Sequence, residues 1–265
     1  MTILVPISYT GRGDQAQPTQ ASLEAISVAR TIDTVHAVVL CEPGVSTSLA
    51  AALAPFGVEA LHAAEDKDAF AFFATPLVDV LCSIAVTEEV AGVLLPDSII
   101  NREIAGRVAV RLGSGLASDA VALTDLAHVT HSIFGSQRDV AAEVRGRYPI
   151  VVLRNGVVEA TEAETADQHD VDIRTVALPD PTIRRGVRVS QRIEDTPSDR
   201  PDLTQAKVVV AGGRGVGSAE GFHDYVEGLA DQLGAAVGAT RDAVDLGYCA
   251  GALQICLLYT SPSPR

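Results

Sequence analysis

Arg214 stands among four glycines in the run Ala211-Gly212-Gly213-Arg214-Gly215-Val216-Gly217, and a second arginine, Arg241, follows Thr240 at the end of the short apolar run 235–239. Glycines permit positive φ angles and a close backbone approach, so a turn of this kind can aim several N–H groups at one anion. A guanidinium in the same turn adds a permanent cation. Gly213, Gly215, Arg214, Thr240 and Arg241 are therefore candidates to hold a phosphate- or flavin-bearing cofactor, with the Thr240 hydroxyl available for a hydrogen bond. The same residues also suit a tight strand-to-helix turn without a ligand, and Arg241 suits a helix-capping or ion-pairing role with Asp245.

The spacing excludes two common phosphate motifs. A dinucleotide fingerprint needs a glycine three residues after Gly217, where Glu220 stands. A P-loop needs Gly-Lys-Ser/Thr, and no lysine lies nearby. Neither dehydrogenase nor kinase-type chemistry is supported.

Around these residues the chain reads as strand, turn and helix. Residues 208–213 form an apolar strand, and a helix follows from Ser218 through Leu233, its N-terminal partial positive charge pointing back at the turn. Earlier in the chain, 2–7 and 35–40 are β-branched runs that predict buried strands. Leu23, Ile26 and Ala29 predict a helix over 18–32, capped by Thr19. A helix over 76–89, a strand over 90–95 and a helix over 101–112 continue the alternation, which implies a parallel sheet covered on both faces. From Asp119 to about Arg188 helical patterns disappear. The segments 120–123, 140–144 and 149–153 predict further strands, several of them antiparallel.

The region 190–206 is polar and carries two prolines, so it reads as a linker. The expected organisation is an α/β N-terminal domain over 1–189 with a parallel sheet and extra strands. A linker over 190–203 and an incomplete Rossmann-like domain over 204–255 follow it. The first of these is expected to bind a partner.

Thirty-four acidic residues against 20 basic ones give a net charge of −14, and Lys67 and Lys207 are the only lysines. Nucleic acid is a poor partner for such a surface, since phosphate backbones need a positive one. Aromatic content is 4% with no Trp, so the core must be built from Val, Ile, Leu and Ala. Cys41, Cys82, Cys249 and Cys256 show no CxxC spacing, and MTILVPISYTGRG lacks a basic leader segment. No apolar run reaches the roughly twenty residues of a membrane helix. A reduced, cytoplasmic setting without membrane insertion is expected.

The run VVVAGGRGVGSAEGF…LADQLGAAVGATRDAVDLGY strongly resembles the flavin-binding domain of the electron transfer flavoprotein alpha subunit. That family's pattern is Gly-Gly-Arg-Gly, a helix ending in Ala-Asp-x-Leu, then Ala-Val-Gly-Ala-Ser/Thr-Arg and an Asp-x-Gly turn. The match falls on Gly212 to Gly215, Leu229 to Asp231, Leu233, Ala236 to Arg241, Asp245 and Gly247. Residues 94–123 resemble the family's arginine-bearing helix that leads to Gly-x-Gly-x-x-x-Asp. Arg200-Pro201-Asp202-Leu203 is similar to the Arg-Pro-x-Leu that introduces its flavin domain.

The resemblance covers nearly all of 1–255. It implies an FAD-carrying electron shuttle without substrate chemistry of its own, one half of a heterodimer with a beta subunit. Such a shuttle accepts electrons from acyl-CoA-type or other dehydrogenases and passes them to a quinone oxidoreductase or similar acceptor. It also implies that Arg214 lies beside the isoalloxazine and favours its reduced, anionic form. Thr240 would bond to the ring, Arg241 would add a second positive charge, and Ile255 would belong to the same site.

After Ile255 the resemblance stops. The family continues with Gly-Gln-Thr-Gly, a strand and a Gly-Ile-Ser-Gly-Ala-x-Gln-His segment, whereas residues 256–265 read CLLYTSPSPR. That decapeptide resembles the translation of adapter or vector sequence. The expectation is a truncated chain with a non-native tail, whose FAD site is incomplete and binds flavin weakly or not at all by itself. Two other readings stay open: an inert fragment that keeps only the partner-docking domain, and a nucleotide-binding enzyme of related architecture.

Other signals carry less. His128 and His131 are read as a solvated or structural pair, and the acidic run 159–172 as a solvated edge. Asp119 and Asp125 have no nucleophile beside them, and no histidine accompanies Ser114 or Ser118. No catalytic residue and no metal-ligand set is assigned.

Overall fold

The computed structural model describes residues 1–134, 136–164, 170–178, 186–191, 200–203 and 206–255. They belong to two compact units, Met1–Arg192 and Ile193–Arg265. Most of the expected linker (192–199) and all of the expected tail (256–265) lie outside the described residues, as does 165–169 of the acidic run.

In chain order, unit 1 begins with β1 (Thr2–Pro6), β2 (Tyr9–Thr10), β3 (Gln17–Pro18), α1 (Gln20–Arg30) and β4 (Thr34–Cys41). It continues with α2 (Ser46–Leu53), β5 (Ala60–Glu65), α3 (Thr75–Thr87), β6 (Val90–Pro96) and α4 (Ile99–Leu112). It closes with β7 (Leu116–Ala120), β8 (Ala122–Leu123), β9 (His128–Ile133), β10 (Arg138–Glu143), β11 (Ile150–Leu153) and β12 (Asp172–Thr175).

Seven strands form one sheet in the order β12-β5-β4-β1-β6-β11-β7, and every pairing in it is parallel. Alternate residues of each strand feed two cores. Ile3, Val5, Val35, Ala37, Val39, Leu61, Leu94 and Val151 face α1 and α2. Leu4, Val38, Leu40, Ala64, Val93, Leu95, Ile150 and Val152 face α3 and α4. This double burial is why the strands read as unbroken apolar runs.

The helices start where the capping chemistry places them. The Thr19 hydroxyl accepts from Ser22 N, and Ser98 Oγ accepts from Asn101 N at 3.0 Å. α4 ends at Gly113, whose φ of 61° provides the left-handed cap.

Between Asp119 and Arg188 the strands divide. β8, β9 and β10 form an antiparallel sheet, which takes in part of the expected strands 120–123 and 140–144, while Ala120 ends β7 of the parallel sheet. β11, by contrast, runs parallel between β6 and β7, because its four residues are all buried and need a covered position on both faces. α2 and β5 were not anticipated. The start of the acidic run is not a free edge: Thr161 N donates to Ser27 Oγ at 3.0 Å and Ala163 N to Pro55 O at 2.8 Å.

Unit 2 holds β13 (Val209–Gly212), α5 (Ala219–Gly221), α6 (Gly228–Leu233), β14 (Ala236–Ala239) and α7 (Arg241–Asp245). β13 and β14 are parallel, with Gly212 beside Ala239. α5 and α6 are joined by a π-helical stretch, Phe222–Glu227, which makes one rod of 219–233. The expected single helix is thus present but wound wider in its middle. Phe222, Val226, Ala230, Val237, Ala239 and Ala243 form the core of this unit.

Candidate functional site

Gly212 ends β13 and permits the packing that sets the site. A Cβ there would lie 2.6 Å from Val226 Cγ2 and 2.7 Å from Phe222 Cε2, so only glycine lets the rod lie this close to the strand. The chain then turns through Gly213 into a short 3-10 turn, Arg214–Val216, which ends at Gly217 with φ 90°. The first N–H groups of such a turn, those of Arg214 and Gly215, have no acceptor within it. A Cβ on Gly215 would meet nothing within 4 Å among the described residues, so these leave the turn open to an approaching group. Ser218 caps the rod that follows, its Oγ accepting from Gly221 N at 3.0 Å.

β14 brings the second half of the site alongside. Thr240 N donates to Gly212 O at 2.9 Å, which continues the ladder past the strand end and pins Thr240 against the glycine turn. A Cβ on Gly213 would come within 3.3 Å of Thr240 Cγ2, so this glycine makes room for Thr240. Thr240 also caps α7. Its Oγ1 accepts from Ala243 N at 3.4 Å, which occupies a lone pair and leaves the O–H free to donate.

Ile255 reaches the same edge. Its N–H donates to Ala239 O at 2.8 Å, and its side chain fills the space over Gly238, where a Cβ would lie 2.1 Å from Ile255 Cδ1. All six candidates (Gly213, Arg214, Gly215, Thr240, Arg241 and Ile255) therefore gather at the carboxyl end of two adjacent parallel strands. That is where open α/β sheets present ligands.

The two guanidiniums are exposed and loosely held. Arg214 is 76% exposed and its nearest carboxylate oxygen, Asp242 Oδ2, is 3.9 Å away. Arg241 is 80% exposed and pairs with Asp245 at 3.4 Å, the alternative its spacing allowed. An exposed pair of this kind contributes about 0.3–0.5 kcal/mol, too little to keep the side chain from an anionic ligand. Turn amides and a hydroxyl hydrogen without a partner among the described residues, two accessible cations and an apolar side chain at one edge together fit a flavin nucleotide.

The motif residues outside this cluster brace it. Arg200 Nε and Nη2 bond to both oxygens of Asp231, at 2.6 and 3.0 Å, and Nη2 lies 3.5 Å from Glu227. The Arg-Pro-x-Leu and Ala-Asp-x-Leu patterns are thereby the two ends of one forked ion pair. The guanidinium holds the Asp231 carboxyl below its usual range. Tyr248 O–H donates to Gly217 O at 3.0 Å and ties the Asp-x-Gly turn to the glycine loop, a contact that sequence spacing did not reveal.

In unit 1 the carboxylates Asp119 and Asp125 have structural partners. Asp119 receives a fork from Arg154 at 2.8 and 2.6 Å, and Asp125 accepts from His128 N and Ala127 N. His128 and His131 lie three apart on β9, a strand, so they point to opposite faces. A shallow depression of about 390 Å³ lies along α4, lined by Arg102, Arg107 and Arg111, and it contains none of the candidates.

Comparison with known proteins gives the family. Residues 9–180 match the family model described as electron transfer flavoprotein domain, and residues 202–258 match the electron transfer flavoprotein FAD-binding domain. The chain is similar to the electron transfer flavoprotein subunit alpha of Mycobacterium leprae, 42% identical over 246 residues that span 93% of this chain and 76% of that protein. It is 41% identical over 247 residues to the subunit of the same name from Mycobacterium tuberculosis, covering 93% and 76%. With that of Bacillus subtilis it shares 31% identity over 238 residues, covering 88% and 71%. The glycine turn with Arg214, the Thr240-Arg241 pair and Asp231 thus stand in a matched FAD-binding domain, with Arg200 just before its start, and the chain belongs to the electron transfer flavoprotein alpha subunit family.

Proposed function

We propose that the chain serves as the alpha half of a two-subunit FAD electron carrier in the cytoplasm. It pairs with a beta subunit, receives electrons from acyl-CoA-type or similar dehydrogenases and passes them to a quinone oxidoreductase. The observation that carries this reading is the convergence of the Arg214 turn, Thr240-Arg241 and Ile255 at one end of β13 and β14. FAD, when bound, supplies a centre that takes up and releases electrons reversibly.

The chain's own residues bind and tune that centre. The amides of Arg214 and Gly215 and the start of the capped rod would meet negative charge. The Arg214 guanidinium would offset the charge that builds up when the ring is reduced, which raises the tendency to accept electrons. Thr240 would donate its hydroxyl proton to an acceptor on the ring, with its orientation fixed by the cap to Ala243. Ile255 would cover the ring edge with an apolar surface. Nothing in this set is a nucleophile or a general base, which suits a carrier rather than a substrate-converting enzyme.

The test is co-expression with a beta subunit from the same source. The expected result is a heterodimer on sizing that carries about one flavin and is bleached by a dehydrogenase with its substrate. A heterodimer that forms without flavin would point instead to a chain that only docks its partner. Absence of both would overturn the proposal.

A further inference from the structure

Unit 1 contains a convergent set of side chains that electron transfer does not use. We propose that His36, His62 and Glu88 form a zinc site, with water completing the coordination. His36 lies on β4 and His62 on the adjacent β5, two register positions apart, both facing the α3 side of the sheet. Glu88 follows the last residue of α3 in an extended conformation that turns it back over the strands. The histidines are 5% and 2% exposed.

The geometry is that of a metal triangle. His36 Nδ1 and His62 Nε2 are 3.1 Å apart, and Glu88 Oε2 lies 3.6 Å from the first and 3.7 Å from the second. A triangle with these sides has a circumradius of about 2.0 Å, which equals the usual length of Zn–N and Zn–O bonds. Three lone-pair atoms facing one point repel unless something positive stands between them. A proton bridges only one edge of such a triangle, whereas an ion at its centre meets all three corners.

Among the described residues, Arg174 is the strongest charge acting on the His36 ring, and the carboxylates of Glu88, Glu59 and Asp172 oppose it. Arg174 bonds to Asp172 at 2.8 Å and stays 3.6 Å from the Glu88 oxygen, so the carboxylate is not engaged by a tight fork. Two imidazoles and one carboxylate suit zinc; magnesium and calcium prefer all-oxygen shells. Glu88, about one-third exposed, leaves the entry path and the position for water.

The experiment uses the untagged full chain, stripped with a chelator. Zn²⁺ is titrated by calorimetry, and Co²⁺ is followed by its visible absorption. The expected result is one Zn²⁺ per chain with micromolar or tighter affinity, and Co²⁺ bands of four-coordinate type without a thiolate charge-transfer band. Glu88→Gln, at a partly exposed position, should keep the circular dichroism spectrum and weaken Zn²⁺ at least tenfold, and His62→Gln should abolish binding. If His62→Gln does not fold, Glu88→Gln decides. The proposal fails if no stoichiometric binding occurs, if Glu88→Gln binds as well as the parent, or if a thiolate band assigns the ion to cysteine. Flavin content has no part in this readout, so the outcome is independent of the electron-carrier reading.

Discussion

Arg214 shows how much a single side chain can do when its neighbours leave it free. It is anchored by its own backbone turn and, among the described residues, held by one distant carboxylate, so its charge is available to a ligand. In a flavin-loaded heterodimer, Arg214→Ala should lower the reduction potential by roughly 60 mV, the equivalent of a tenfold change for a one-electron step. Arg214→Lys should recover part of that loss, and redox titration against dye standards would measure both. An unchanged potential in the alanine variant would remove Arg214 from the ring. Cys41 makes the opposite case. It is fully buried, and burial pushes its thiol up to about 12, so it is neither nucleophile nor redox sensor in the folded chain. Iodoacetamide at pH 8 should leave Cys41 unmodified until denaturant is added, as peptide mass mapping would show.

Among the elements, the β13–turn–rod unit depends on glycines chosen for space. Gly212→Ala would drive a methyl group into Phe222 and Val226, an overpacking that costs about 1–3 kcal/mol. The rod must then move off the strand, carrying the glycine turn with it. A urea titration followed by tyrosine fluorescence would report the loss. Gly238→Ala is a more selective probe, because the new methyl would displace Ile255 while β13 and β14 keep their ladder. It should reduce flavin retention at an overpacking cost of about 1–3 kcal/mol. The Ser218 cap gives a third measure. Ser218→Ala leaves the Gly221 N–H without its acceptor and should cost unit 2 about 1 kcal/mol.

At the scale of the whole molecule, legibility followed chain distance. α1 was visible because Leu23, Ile26 and Ala29 recur at helical spacing after Thr19, and α3 and α4 match the expected helices 76–89 and 101–112 to within two residues. β11 was legible as a strand but not by its neighbours, since nothing local in Ile150–Leu153 says that β6 and β7 will flank it in parallel. The fork between Asp119 on β7 and Arg154 after β11 secures that arrangement, and Arg154 also donates to Ser132 O on β9 at 3.0 Å. Arg154 holds the Asp119 carboxyl below the ordinary 3.8. The stabilisation is therefore full above the unfolded value and disappears as pH falls through the lower folded one. Unit 1 of Asp119→Asn should accordingly be less stable at pH 7, and its difference from the parent should shrink on acidification below pH 4. Thermal unfolding across that range would check the sign, and a constant difference would remove the fork as its source.

The glycine turn, its arginine and the Thr-Arg pair were legible from sequence because their chemistry depends on residue type and short spacing. By residue type and spacing the Gly-Gly-Arg-Gly and Ala-Thr-Arg patterns suit a phosphate- or flavin-bearing cofactor, and it is the family resemblance that narrows this to a flavin. Sequence alone left open how the halves meet. Gly212 and Thr240 are joined by a ladder bond, Gly217 and Tyr248 by a hydroxyl, and Arg200 and Asp231 by a fork, each linking residues about thirty positions apart. The His36–His62–Glu88 triangle was hidden for the same reason, its members lying on two strands and beyond a helix end with no common spacing. Spacing along the chain encodes turns and caps, because they form within a few residues. Convergence across a parallel sheet depends on strand order and register, which only the packed tertiary structure decides.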